Sequence, residues 1–301
     1  MNGKQTLFVT ICLTLMAISA FGAVTVTDTG DRKEAVRGHN YSRVDRAISF
    51  NNNGQVPYVL RYVYIDDPEF KTENPKAVLP WIGDPTAGTA GLGMSQPWYS
   101  RGFLGIEING KLLTGTLAKE FKIVEQGKRG ICDVVWSPEW ADIRARFASM
   151  PDDDKLYVEV SINPNVQVSS LKLRFACLPG QGLPKRDQWI STAERSVQHG
   201  PAPIVLDTKK EPWVFYYDTQ NTPTGACALL YAPEEVSGAT VNISANATAY
   251  TFLSYPASAR KMRFVLYSFP TKYKSRDEAF LFLKENGSNI LESLKKFDFG
   301  S

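Results

Sequence analysis

Between Lys119 and Leu178 apolar residues recur at every second position, and this period constrains the chain more than any other feature of it. In LYVEVSINP, Val158, Val160 and Ile162 point one way while Tyr157, Glu159 and Ser161 point the other. LKLRFACLP sets Leu171, Leu173, Phe175 and Cys177 against Lys172 and Arg174. DIRARFAS sets Ile143, Ala145 and Phe147 against Arg144 and Arg146. Successive side chains of an extended strand point to opposite faces, whereas a helix needs a period of about 3.6. Turn signals separate the runs: Ser137-Pro138, Met150-Pro151-Asp152-Asp153-Asp154, Asn163-Pro164-Asn165 and Pro179-Gly180. Residues 119–178 therefore read as an antiparallel meander of half-buried strands.

Further strands are expected near 189–197, 203–207, 212–218, 225–231, 239–243, 248–254 and 261–269. VPYVLRYVYI (56–65) is apolar on both faces, which suits a strand inside a large sheet. Helix is signalled only at the end. Ser275 and Glu278 have the capping-box spacing, and Phe280, Leu283, Ile290, Leu294 and Phe297 keep roughly helical spacing. Asn286-Gly287-Ser288 predicts a break into two short helices, which would cover a sheet edge or end. No repeat of fixed period and no linker stands out. The expected fold is all-β: a large antiparallel β-sandwich, one domain over 23–301, with a short C-terminal helical segment.

The chain opens with Lys4 and an apolar run from Leu7 to Ile18, shorter than the roughly 20 residues of a membrane span. Ala20 and Gly22 stand at the −3 and −1 positions of a cleavage site, so residues 1–22 read as a signal peptide. An uncleaved anchor is the alternative. The expected location is secreted or periplasmic, with no membrane span after signal removal. The formal net charge is +3, and basic residues are interspersed with acids, so nucleic acid is not an expected partner. After Cys12 come three cysteines, Cys132, Cys177 and Cys227, each inside an apolar strand-like run. An odd, sparse set is not a disulfide framework, so all three are expected to be mostly buried and unpaired, and any disulfide within one chain could join only two of them.

Chemical motifs are sparse. The chain has two histidines, His39 and His199, without zinc-ligand spacing and without a G-x-S-x-G nucleophile. GTAGLG (88–93) matches no phosphate-binding glycine motif. Asp66-Asp67 with Glu69, Asp152 to Asp154 and Glu234-Glu235 lack the alternating spacing of a calcium loop and read as solvated turns. No metal and no cofactor is expected. A carboxylate pair for glycoside cleavage would lie on separate strands, where sequence does not reveal it. Whether the chain is an enzyme stays open, and no catalytic residue is assigned.

Aromatic residues are the remaining signal. Residues 79–103, LPWIGDPTAGTAGLGMSQPWYSRGF, set Trp81, Trp98 and Tyr99 in an irregular glycine- and proline-rich loop, with Asp84 and Arg101 nearby. Aromatic faces beside carboxylate and guanidinium groups suit a sugar ring with its hydroxyls. Trp81, Asp84, Trp98, Tyr99 and Arg101 are therefore the candidate ligand-binding residues. Ordering such a loop costs about 1–2 kcal/mol of backbone entropy per residue, so at least one of Trp81 and Trp98 is expected as a buried anchor. Trp136 and Trp140, around the turn WSPEW, read as core or cross-strand packing.

The run from GFLGIEINGKLL through VVWSPEWADIRARFASMPDDDKLYVEVSINPN to VSSLKLRFACLPG resembles the sheets of galactose-mutarotase-like β-supersandwich proteins. The resemblance covers roughly residues 100–180 and lies in rhythm. It implies a carbohydrate-handling class of epimerases, accessory domains and sugar binders. Epimerases of that class use a His and Glu pair, and neither His39 nor His199 matches it. Three readings follow: an exported carbohydrate-binding or carbohydrate-active protein; a structural or interaction module of the cell envelope without a small-molecule site; and a hydrolase with an unseen carboxylate pair. The exported protein should begin within a few residues of Ala23. Mass spectrometry checks this, and an exported chain still carrying Met1 would contradict it.

Overall fold

The computed structural model describes residues 22–35, 42–66, 91–99, 102–113, 116–179, 187–198, 202–220, 225–243, 248–270, 272–273 and 275–300. The proposed signal peptide before Gly22 lies outside the described residues. In chain order the strands are β1 (Thr25–Asp28), β2 (Arg32–Ala35), β3 (Ser42–Asn51), β4 (Tyr58–Asp66), β5 (Gly91–Met94), β6 (Leu104–Ile108) and β7 (Lys111–Leu112). There follow β8 (Glu120–Glu125), β9 (Gly130–Trp136), β10 (Ala141–Ser149), β11 (Lys155–Pro164), β12 (Leu171–Cys177), β13 (Gln188–Ser191) and β14 (Ser196–Gln198). The last are β15 (Ile204–Leu206), β16 (Trp213–Asp218), β17 (Cys227–Tyr231), β18 (Gly238–Ile243), β19 (Ala249–Tyr255) and β20 (Lys261–Ser268), before helix α1 (Arg276–Lys296).

These strands form three antiparallel sheets, as an all-β sandwich requires. The largest has nine strands in the order β14-β13-β16-β17-β20-β11-β10-β9-β8. A six-stranded sheet runs β15-β18-β19-β12-β6-β7, and a five-stranded sheet runs β1-β3-β4-β5 with β2 also on β3. The expected meander is present from β8 to β11, with turns at 137–140 and 150–154. It does not extend to β12. That strand crosses to the six-stranded sheet and pairs with β6 and β19, Leu173 opposite Ile106 and Leu253. Alternation specifies the buried face of a strand, not its neighbours. Residues 189–197, expected as one strand, fold into the β13–β14 hairpin instead. Residues 56–65 do form a strand, β4, but it is interior to the smallest sheet.

The nine-stranded sheet separates two apolar cores. Along β16, Val214 and Tyr216 face the other two sheets, while Trp213, Phe215 and Tyr217 face α1. Along β20, Phe264 and Leu266 take the first side and Val265 and Tyr267 the second. Helix α1 packs Ala279, Leu283, Ile290, Leu291 and Leu294 into the second core. Ser275 caps it as expected, its side chain accepting from the Glu278 amide at 3.2 Å. The expected break at Gly287 is absent, and the helix runs unbroken for 21 residues. A Cβ at Gly287 would lie 3.0 Å from Trp213 Nε1, so the glycine lets helix and sheet approach closely. Tertiary packing overrides a local cost of about 1 kcal/mol for glycine in a helix.

Past the helix, Arg146 sits within a row of alternating charge across the strands: Asp133, Arg146, Glu159 and Arg263 are directly opposite one another in register. Arg146 is 3% exposed and makes two 2.7 Å bonds to Asp133. It also donates to the carbonyls of Phe299 and Gly300, which fixes the segment after α1 on the sheet. Cys132, Cys177 and Cys227 are buried thiols.

Trp98 joins the sheets. It forms an isolated antiparallel bridge with Cys177, and its indole Nε1 donates to Ser268 Oγ at 3.0 Å. The Ser268 amide donates to Tyr58 Oη at 2.9 Å, and Tyr58 donates to the Asp154 carbonyl at 2.7 Å. One chain of bonds thus links the end of the glycine-rich loop, β12, β20 and β4. Truncating a buried aromatic costs about 3–5 kcal/mol. Trp98→Ala should lose that much in urea unfolding, and Trp98→Phe, which keeps most of the volume, clearly less. A loss below about 1 kcal/mol for the alanine variant would show that the anchor is dispensable.

Candidate functional site

Trp98 is 1% exposed and belongs to the core, so it serves as the loop's anchor and offers no face for a ligand. This corrects its place among the candidate binding residues: the indole that bonds Ser268 is enclosed between sheets. Tyr99 is half-buried and packs against the same core, its amide donating to the Ala176 carbonyl at 3.0 Å. Trp81, Asp84 and Arg101 lie outside the described residues, as do His39 and His199. Trp136 is core, and Trp140 packs against it, as expected.

A different cluster of aromatic and polar groups converges where β13, β14 and β16 meet the first turn of α1. A cavity of about 300 Å³ opens there, lined by Trp189, Tyr217 and Phe280 together with Ser191, Ser196, Arg276 and Asp277. The geometry begins with the β13–β14 turn. Thr192 Oγ1 accepts from the amides of Glu194 and Arg195 and donates to Glu211 at 2.7 Å. Arg195 donates to the same Glu211 carboxylate. The closed turn sets Ser196 opposite Ser191, and their hydroxyls share a 2.7 Å bond.

Asp187 fixes the aromatic wall. Its Oδ1 accepts from Trp189 Nε1 and from Gln198 Nε2, each at 2.9 Å, and its Oδ2 accepts from Thr219. The Thr219 bond, then those from Gln198 and Trp189, hold this carboxyl below the usual carboxylate range, against a smaller opposing effect of burial. On the other wall Ser275 starts α1, which places Arg276 and Asp277 at the cavity rim. The Arg276 guanidinium stands 4.9 Å over the Tyr217 ring and donates through Nε to Asp277 at 2.9 Å. Phe280, one turn on, packs on Trp213 and Phe215. The site thus offers aromatic surface with hydroxyl, carboxylate and guanidinium groups around it.

Two other cavities lie away from this corner. One of about 350 Å³ is lined by Tyr62, Tyr64 and Phe121 with Lys119, Glu120 and Arg46, whose guanidinium is held by Asp28 at 2.6 and 2.9 Å, by Asp31 at 3.3 Å, and by stacking on Phe121. Another of about 460 Å³ runs beside edge strand β15 and is lined by Arg195 and Gln198 with Val197, Ala202, Pro203, Ile204 and Val205, without any aromatic ring.

No family model matches the chain, and no curated protein matches it in sequence. Solved structures are similar to it in fold. A protein of Klebsiella pneumoniae assigned as an aldose 1-epimerase is 6% identical, with 89% of this chain and 96% of that one covered and a TM-score of 0.48. A variant of the GH36 α-galactosidase AgaA from Geobacillus stearothermophilus, in complex with stachyose, is 12% identical over 74% of this chain and 41% of its own, with a TM-score of 0.45. A TPR-domain-containing protein of Parabacteroides distasonis is 10% identical over 83% and 55%, with a TM-score of 0.43. The chain spans about two fifths of the length of the galactosidases it matches. These likenesses assign no residue and no activity.

Asp187 gives the site a pH signature. Its carboxyl is held below its unfolded value, so its contribution to stability is complete above about pH 3.9 and is lost as pH falls through the depressed value. Asp187→Asn should therefore lower Tm at pH 6, and the gap from the parent should begin to narrow only once the pH falls below about 3.9. A gap that widened on acidification would contradict the assignment.

Proposed function

We propose that the chain is an exported carbohydrate-binding protein whose ligand seats between the β13–β14–β16 corner and the first turn of α1. The observation that carries this reading is the lining of that cavity: Trp189, Tyr217 and Phe280 beside Arg276, Asp277 and two serine hydroxyls. Aromatic planes suit the C–H faces of a pyranose, and the charged and hydroxyl groups suit its hydroxyls. The volume of about 300 Å³ lies at the small end of ligand sites, which suits a terminal sugar over a long bound chain.

Binding fits the site better than hydrolysis. Asp187 has hydrogen bonds on both oxygens and is held ionised, so it is not poised to give a proton. Asp277 is largely solvent-exposed and already accepts from Arg276 Nε at 2.9 Å. Within the glycine-rich loop, Trp81, Asp84, Tyr99 and Arg101 form a second location to examine by single alanine substitutions. The alternative, an envelope interaction module, draws on Val205, which is 69% exposed on edge strand β15.

A glycan array probed with the exported chain tests the reading, followed by calorimetry on the sugars retained. Trp189→Ala and Arg276→Ala should each weaken binding at least about tenfold, roughly 1.4 kcal/mol, with Tm shifted by only a few degrees. An array without signal, or alanine variants that bind as the parent does, would overturn the assignment of this cavity.

A further inference from the structure

Two of the three buried cysteines face one another across the gap between the large sheets. Cys177 ends β12 in the six-stranded sheet, and Cys227 begins β17 in the nine-stranded sheet. Both belong to the core between those sheets, 2% and 0% exposed, and the Cys177 side chain is among the groups that push the Cys227 thiol up. Their neighbours bridge the same gap twice. Trp98 pairs with Cys177 through its backbone and bonds Ser268, the residue opposite Cys227 on β20. Tyr216, opposite Cys227 on β16, bonds across the gap to Thr251 of β19, two residues from the Ala249 that faces Cys177. The sheets are therefore held together on both sides of the thiol pair.

We propose that Cys177 and Cys227 form an inter-sheet disulfide when the chain folds in an oxidising compartment. The oxidant is a disulfide, small or protein-borne. One cysteine thiolate attacks it and expels a thiolate, and the second cysteine then attacks the mixed disulfide. One sulfur–sulfur bond forms between the two cysteines, both lose their protons, and the oxidant is reduced to two thiols. Exchange belongs to the folding chain and not to the finished sandwich. In the closed core, burial pushes the Cys227 thiol well above its ordinary range and access is gone.

Cys132 is excluded as a partner by topology. It lies on β9, four strands from β17 in the nine-stranded sheet, about 19 Å away at the usual strand spacing. A disulfide needs Cα atoms within about 7 Å.

The test is to denature and reduce the full chain, refold it in a mixture of reduced and oxidised glutathione, and count thiols after denaturation without reductant. Four thiols should fall to two, and peptide mapping should find Cys177 joined to Cys227, with Cys12 and Cys132 alkylated. A Cys12→Ser, Cys132→Ser double variant, which leaves both core cysteines in place, should fall from two thiols to none. Closing a loop of about 50 residues should raise its Tm by roughly 10 °C, and reductant should remove the gain. Two thiols persisting in the double variant, a link through Cys132 in the parent, or a Tm indifferent to reductant would each overturn the proposal.

Discussion

The central strands of the nine-stranded sheet must be dry on both faces, and most of the remaining structure follows from that requirement. A sheet covered on one side shows a simple alternation of apolar and polar residues. Here WVFYYD and CALLY are buried at every position, and every residue but Asp218 enters one core or the other. The six- and five-stranded sheets close one face and α1 closes the opposite one. Removing either cover would expose a row of large side chains, each worth about 1.5–3 kcal/mol of burial.

The candidate site is a consequence of the same requirement. Helix α1 covers the middle of the sheet, and at its capped end the contact with β13 and β14 opens into a cavity. Apolar residues that would otherwise serve as core, Tyr217 and Phe280, become its walls there. The polar groups arrive from a hairpin turn stapled by Glu211 and from the helix cap, both held by hydrogen bonds independent of any ligand. A site built this way is preorganised, since its aromatic wall is fixed by Asp187 before anything binds.

Much of the fold was legible in the residues, because burial on one face leaves a period of two. Val158, Val160 and Ile162 declared their face, and Ser275 with Glu278 declared the start of the helix. The partners of β12 were not legible: Leu171 to Cys177 alternate identically whichever sheet they join. Gly287 misled for a related reason, since its meaning depends on Trp213, a residue far away in sequence. The site was the least visible part. Trp189 sits in a four-residue strand, and Arg276 looks like an ordinary residue of a helix's first turn. Nothing local brings them together. The glycine-rich loop drew attention through composition, yet its Trp98 proved to be an anchor whose partner, Ser268, lies 170 positions away.

The pairing of β11 with β20 sets the order of events during folding. Strands β8 to β11 form a meander of short connections that can close early and locally. Its open edge, β11, waits for a strand about a hundred residues later in the chain, with Val158 directly opposite Phe264. Until β20 arrives, that edge shows unpaired amides and apolar side chains, a template for pairing with another chain. High contact order of this kind slows folding. The wait for β20 is thus the interval in which the chain is most open to pairing with another copy of itself.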